Sequence, residues 1–126
     1  MRFTFKKEER LYGHAALENV YENGKHLHSN NIKILFIEVP QSTYPACRVV
    51  FSVPKRNFKK AVDRNLIKRR MREVYRNHKH LLYQHLAEKQ KSIHIYLIYS
   101  SKQIISFDEL KENIIGALQL LANRVN

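Results

Sequence analysis

Residues 58–88 contain neither proline nor glycine, and their apolar side chains recur with a helical period. At about 100° per residue, Met71, Val74, His78, Leu81, Leu82 and His85 all fall within about 60° of Ile67. A helix with so continuous an apolar stripe must be covered on that side, so the rest of the chain has to supply a surface for it. Opposite the stripe, between about 100° and 200°, lie Lys68, Lys79, Arg72, Asn65, Arg76 and Arg69. The stretch therefore predicts one long amphipathic helix with a packed side and a basic side.

The covering surface is read from three β-rich runs. Residues 31–39 (NIKILFIEV) are followed by Pro40, residues 47–53 (CRVVFSV) lie between Pro45 and Pro54, and residues 93–99 read IHIYLIY. Residues 25–28 fit a short edge strand. Residues 40–45 are expected to connect antiparallel neighbours. Residues 8–22 predict a first helix, with Leu17, Val20 and Tyr21 on one face and Gly24 placed as a left-handed stop. Ser106 and Glu109 have capping-box spacing and open a last helix. Its apolar face runs Phe107, Leu110, Ile114, Leu118, Leu121, Val125. No linker or repeat divides residues 1–126, which read as one domain. The expected fold is α+β, a two-layer sandwich with helices on one sheet face and the other face partly open.

The charge is concentrated rather than spread. The chain carries a net +12, and residues 55–79 hold eleven basic and two acidic residues, 11 − 2 = +9. A merely solvated helix face usually interleaves acids at i, i+4; this one has only Asp63 and Glu73. A polyanion is the expected partner. Between Arg64 and Arg76, five arginines stand against one lysine, and the planar guanidinium engages phosphate bidentately. Six to eight phosphate contacts would give a log–log salt slope of roughly −5 to −7. Asn65 adds a donor–acceptor suited to a base edge, a 2′-hydroxyl or a metal-bound water. Composition leaves DNA and RNA both open.

Other classes find less support. The apolar runs are too short to cross a bilayer, and the first residues lack the apolar core of a signal peptide. The lone cysteine, Cys47, sits in a strand-like run and reads as a buried thiol in a reducing compartment. A protein nuclease would need paired carboxylates or metal ligands. Asp63 and Glu73 look like charge relief, Asp108 and Glu109 fit a helix N-terminus, and the histidines form no ligand set. A DNA-binding helix-turn-helix would need a short helix just upstream of the basic one, where FSV reads as strand. A structural RNA-binding protein outside any enzyme fits the charge equally well.

The stretch KRNFKKAVDRNLIKRRMRE resembles the signature of the bacterial ribonuclease P protein subunit, matching at Ser52, Val53, Lys55, Ala61, Val62, Arg64, Asn65, Lys68, Arg69, Arg72 and Glu73. Arg10, Leu11, Leu17, Val20, Tyr21 and Gly24 fit the family's first-helix pattern. Two positions depart from it: Leu66 stands where an arginine is usual, and Leu17 where many members carry phenylalanine.

The resemblance implies a sandwich like the second domain of a small-subunit ribosomal protein. The implied order is α-β-β-β-α-β-α, with a left-handed β-α-β crossover, a rare exception to the usual hand. It implies a small subunit of a ribonucleoprotein endonuclease that removes 5′ leaders from precursor tRNA. The chemistry would then belong to a catalytic RNA and its magnesium, with no catalytic residue and no metal site in the protein. By the same resemblance, Lys55, Arg64, Asn65, Lys68, Arg69, Arg72 and Arg76 would bind the RNA subunit. Leu17, Tyr21, Lys33, Leu35 and Ser52 would line the cleft for the leader, although Leu35 and Tyr21 read equally as core. Expected partners are the catalytic RNA and precursor tRNA, with no membrane and no obligate protein partner, in the cytoplasm.

Overall fold

The computed structural model describes residues 5–41 and 45–125. A 3-10 turn, Lys7–Glu9, precedes helix α1 (His14–Asn23), strands β1 (Lys25–Ser29), β2 (Ile32–Val39) and β3 (Cys47–Ser52), helices α2 (Ala61–His78) and α3 (His80–Lys89), strand β4 (Ser92–Tyr99) and helix α4 (Phe107–Arg124). The four strands form one sheet in the order β1-β2-β4-β3. β2 is antiparallel to both β1 and β4, whereas β3 and β4 are parallel. Parallel neighbours need a long crossover, and α2 with α3 supplies it.

Sheet order corrects one expectation. β2 and β3 are not neighbours, because β4 lies between them, so residues 40–45 do not join antiparallel neighbours. Residues 42–44 of that connection lie outside the described residues. The edge strand expected at residues 25–28 is present as β1, joined to β2 through Asn30 at φ 50°.

The register sorts side chains into two faces. Ile32, Ile34, Phe36, Cys47, Val49, Phe51, Ile93, Ile95, Leu97 and Tyr99 point to one face, where α2, α3 and α4 bury them. The helices contribute Ile67, Met71, Val74, Tyr75, Leu82 and Leu86 from the long basic stretch. From α4 come Leu110, Ile114, Leu118 and Leu121. The Ser106 Oγ accepts from Glu109 N at 3.1 Å, the expected N-cap. Phe107, assigned to the apolar face, is instead exposed at the helix start.

Among the described residues, the other face is covered by α1 and the segment just before it. Leu11, Val20 and Leu35 are buried there, with Leu17, Ile37, Val50, Tyr96 and Ile98 packed around them. Helices therefore lie on both faces, three against one, and the expected single helical layer is incomplete.

The first helix is shorter than residues 8–22. Leu11 N donates to Val49 O at 2.9 Å, and Arg10 bridges Val49 in parallel, so residues 10–11 extend the sheet beside β3. Gly13, at φ 96°, then turns the chain into α1; that left-handed conformation favours glycine. Gly24 is not a left-handed stop, since its φ and ψ are −72° and 155°. Its lack of a side chain matters for another reason: a Cβ there would lie 2.3 Å from Val20 O.

The long helical stretch breaks at Lys79. Asn77 Nδ2 and His78 Nδ1 lie 3.1 and 3.0 Å from the carbonyls of Glu73 and Val74. The amides of Leu82 and Tyr83 both donate to Lys79 O, starting α3. Gln90, at φ 54°, closes α3, with Lys91 N donating to Leu86 O at 3.0 Å. Among the described residues, no helix is long and apolar enough to cross a membrane.

Candidate nucleic-acid interface

On α2, Asn65, Arg69, Arg72 and Arg76 follow one another at helical spacing, with Lys68 beside them. Asn65 and Arg69 are exposed, and Lys68, Arg72 and Arg76 are half-buried at their stems. Long cationic side chains pack their methylenes while the heads stay in water. Lys55 is exposed in the loop before the helix. Acidic relief is local: Arg76 Nη2 donates to Glu73 Oε1, and this contact holds the Glu73 carboxyl below the usual carboxylate range. Asp63 sits in the first turn, where it suits the helix dipole.

Two basic residues of this segment serve the fold. The Arg64 guanidinium donates through Nη1 to Phe58 O at 2.8 Å and Lys59 O at 2.9 Å, so it shapes the loop that delivers the chain into α2. Lys79, counted on the basic side by its wheel angle, turns inward instead. Its Nζ lies 2.6 Å from Oε1 of Glu9, a carboxylate only 2% exposed. Lys6 N donates to Glu9 Oε2 at 2.8 Å, and the Tyr83 hydroxyl lies 2.9 Å from Glu9 Oε1. A buried carboxylate needs such partners. The pair fastens the N-terminal segment to the junction of α2 and α3. Sequence reading missed Glu9, because its partners lie 70 and 74 residues away.

The half-covered sheet face carries the other predicted residues. Across the sheet, His28, Lys33, Ile98 and Ser52 form one row; His26, Leu35, Tyr96 and Val50 form the next. Lys33 is exposed and Ser52 half-buried, on strands either side of Ile98. Leu17 is half-buried against this face, whereas Tyr21 on α1 is 66% exposed. Leu35, at 1% exposure, packs under α1 and forms part of the floor. Leu17, Lys33, Leu35 and Ser52 thus lie at one sheet face, Tyr21 stands exposed on α1, and the α2 residues line a basic surface. Tyr96, Ile98 and Val50 also belong to the face and were not singled out from sequence. The alternation of IHIYLIY carries the signal, but only the central place of β4 makes it usable.

Cys47 is buried, with its thiol pushed up to about 12 by burial, as expected of a core cysteine. The Tyr75 hydroxyl points to its sulfur at 3.6 Å. Among the described residues, no three His, Cys, Asp or Glu side chains are grouped to hold a metal ion. His94, in a row with Ile37 and Arg48, is held below the ordinary histidine value by burial and by the Arg48 charge.

Residues 5–121 match the family model described as Ribonuclease P. The ribonuclease P protein component of Porphyromonas gingivalis strain W83 is 29% identical, over 98% of this chain and 90% of that protein. That of Chlorobium phaeobacteroides is 31% identical, over 88% and 83%. Among solved structures, the RNase P protein of Staphylococcus aureus superposes with a TM-score of 0.71 at 19% identity, covering 91% of this chain and 96% of that one. The Thermotoga maritima RNase P protein gives 0.68 at 23% identity, covering 89% and 96%. These last two establish likeness of fold.

Proposed function

The chain belongs to the Ribonuclease P protein family, and on that premise we propose that it binds a catalytic RNA and helps it remove 5′ leaders from precursor tRNA. The observation that carries this reading is the presence of two surfaces of different chemistry. The α2 row from Asn65 to Arg76 is basic and hydrogen-bonding, suited to a folded RNA backbone. The sheet face under α1 keeps apolar and aromatic groups half-open beside Lys33, suited to unpaired nucleotides.

In this reading Lys55, Asn65, Lys68, Arg69, Arg72 and Arg76 neutralise and position the RNA subunit. Arg64 acts by holding the loop that orients them. Leu17, Tyr21, Lys33 and Ser52 receive the leader together with Val50, Tyr96 and Ile98, over a floor that includes Leu35. Leu66 is half-buried one turn before Arg70, so Arg70 supplies the charge that Leu66 lacks. Magnesium held by the RNA would supply the activated water and stabilise the leaving oxygen. The protein's part is electrostatic and positional, with its working place in the cytoplasm and no second protein required.

Reconstitution tests the reading. Purified protein, cognate catalytic RNA and leader-bearing precursor tRNA are combined at low magnesium. The expected result is no cleavage by protein alone and strong stimulation of the RNA. Cleavage by protein alone, or no stimulation at any magnesium concentration, overturns it.

A further inference from the structure

Between the N-terminal segment and α2 lies an open hollow of about 410 Å³, within the range of ligand clefts, about 300–1,000 Å³. Its floor is β3, from Val49 to Phe51, and Phe5 is part of its lining. Four cations surround it: Lys7 and Arg10 from the N-terminal segment, Lys68 and Arg72 from α2. Among the described residues, no carboxylate lines it. On the rim stands Tyr12, 62% exposed although its ring is apolar. The hollow shares Leu11 and Val50 with the cluster under α1. It therefore joins the half-covered sheet face to the basic row of α2.

A surface that only gripped phosphates would not need an apolar floor, and an apolar groove for a peptide would not need four cations. An occupant must combine a flat apolar part with negative charge. We propose that this hollow is a bay for one unpaired nucleotide of an RNA, its base stacked on Tyr12 and its phosphates held by Lys7, Lys68 and Arg72. Arg10 is less available, because its guanidinium lies over the Phe5 ring, 5.8 Å from the centroid. To reach Tyr12 and this floor, the base enters extruded from its strand. This inference rests on the RNA-binding function proposed above. It adds a stacking residue, Tyr12, that neither the basic row nor the predicted cleft includes.

The natural chain has no tryptophan, so Tyr12→Trp places a single indole reporter at the rim. Its emission is followed while the catalytic RNA, leader-bearing precursor or leaderless tRNA is added. Quenching by the catalytic RNA alone assigns the base to that RNA, and quenching that requires the leader assigns it to the substrate. Both outcomes support the bay. Alongside, Tyr12→Ala is expected to weaken binding of the assigned RNA about ten-fold, and Tyr12→Phe to leave it near the natural value. Absence of quenching in a holoenzyme that still removes leaders, or natural affinity in Tyr12→Ala, overturns the bay and leaves the proposed function standing. Failure of the natural protein to stimulate its RNA sinks that function instead. Fluorescence still reads the bay in that event, because stacking does not depend on cleavage.

Discussion

The two faces of the sheet are built from alternate residues of the same strands, yet they are finished differently. On one face Ile34, Ile95 and Leu97 are 0% exposed beneath three helices. On the other, Tyr96 and Ile98 occupy neighbouring positions of β4 and remain half-buried, because α1 is a short helix lying over only part of that face. Each apolar side chain left partly in water forgoes some of the roughly 1.5–3 kcal/mol that full burial contributes. The closed face stabilises the fold, and the half-covered face keeps apolar surface within reach of solvent. Adjacent residues in one strand should therefore respond to mutation in opposite ways.

The largest difference is expected at Leu97 and Ile98. Leu97→Ala removes a fully buried side chain and should cost about 2–5 kcal/mol in urea unfolding. Ile98→Ala should cost about 1 kcal/mol while reducing affinity for leader-bearing precursor. Equal stability losses would show that the half-covered face is also core. Glu9→Ala comes next. It removes the buried carboxylate that Lys79 meets and the tie between the N-terminal segment and the α2–α3 junction. A loss of about 3 kcal/mol is expected for breaking such a pair. A loss below 1 kcal/mol would mean that the junction holds without it.

A smaller pair of effects separates cations of binding from cations of folding. Arg72→Ala should leave the unfolding free energy nearly unchanged and reduce the salt slope of RNA-subunit binding by about one unit. Arg64→Ala should instead destabilise the fold by about 1 kcal/mol, through the loss of its bonds to Phe58 O and Lys59 O. An unaltered slope in Arg72→Ala would place that guanidinium away from phosphate.

What was legible in the sequence was local. The apolar stripe from Ile67 to Val74, the strand runs and the Ser106 cap depend on periodicities a few residues long, and the structure has them in place. The insertion of β4 between β2 and β3 depends on pairing across the chain, and no local pattern encodes it. The inward turn of Lys79 at the α2–α3 break likewise depends on Glu9, 70 residues away. In the candidate site, the excess of charge was plain. Which cations turn inward was not, because that depends on the loop carbonyls near Arg64 and on a buried carboxylate near Lys79. Alternation identified Leu35 and Lys33 as one set, but only the position of α1 makes one of them floor and leaves the other open.

The smallest expected effect uses acid to tell the faces apart. Cys47 on the closed face pairs with Ile93, and Arg48 on the half-covered face pairs with His94. The Cys47 thiol, pushed up to about 12, stays protonated throughout the neutral range. His94 is held below its ordinary 6.5 by burial and then by Arg48, so the unfolded chain binds the proton more readily than the folded one. Stability from this site is thus complete above about pH 6.5 and is lost as pH falls toward the lower folded value. The natural protein should therefore lose stability on acidification from pH 7 toward 5.5, and His94→Gln should show a shallower loss over the same range. The comparison is made by urea titration at each pH, so the other histidines cancel between the two proteins. If the two profiles stay parallel, the half-covered face is open enough to solvate the imidazolium, and the contrast between the faces is sharper than the burial of His94 implies.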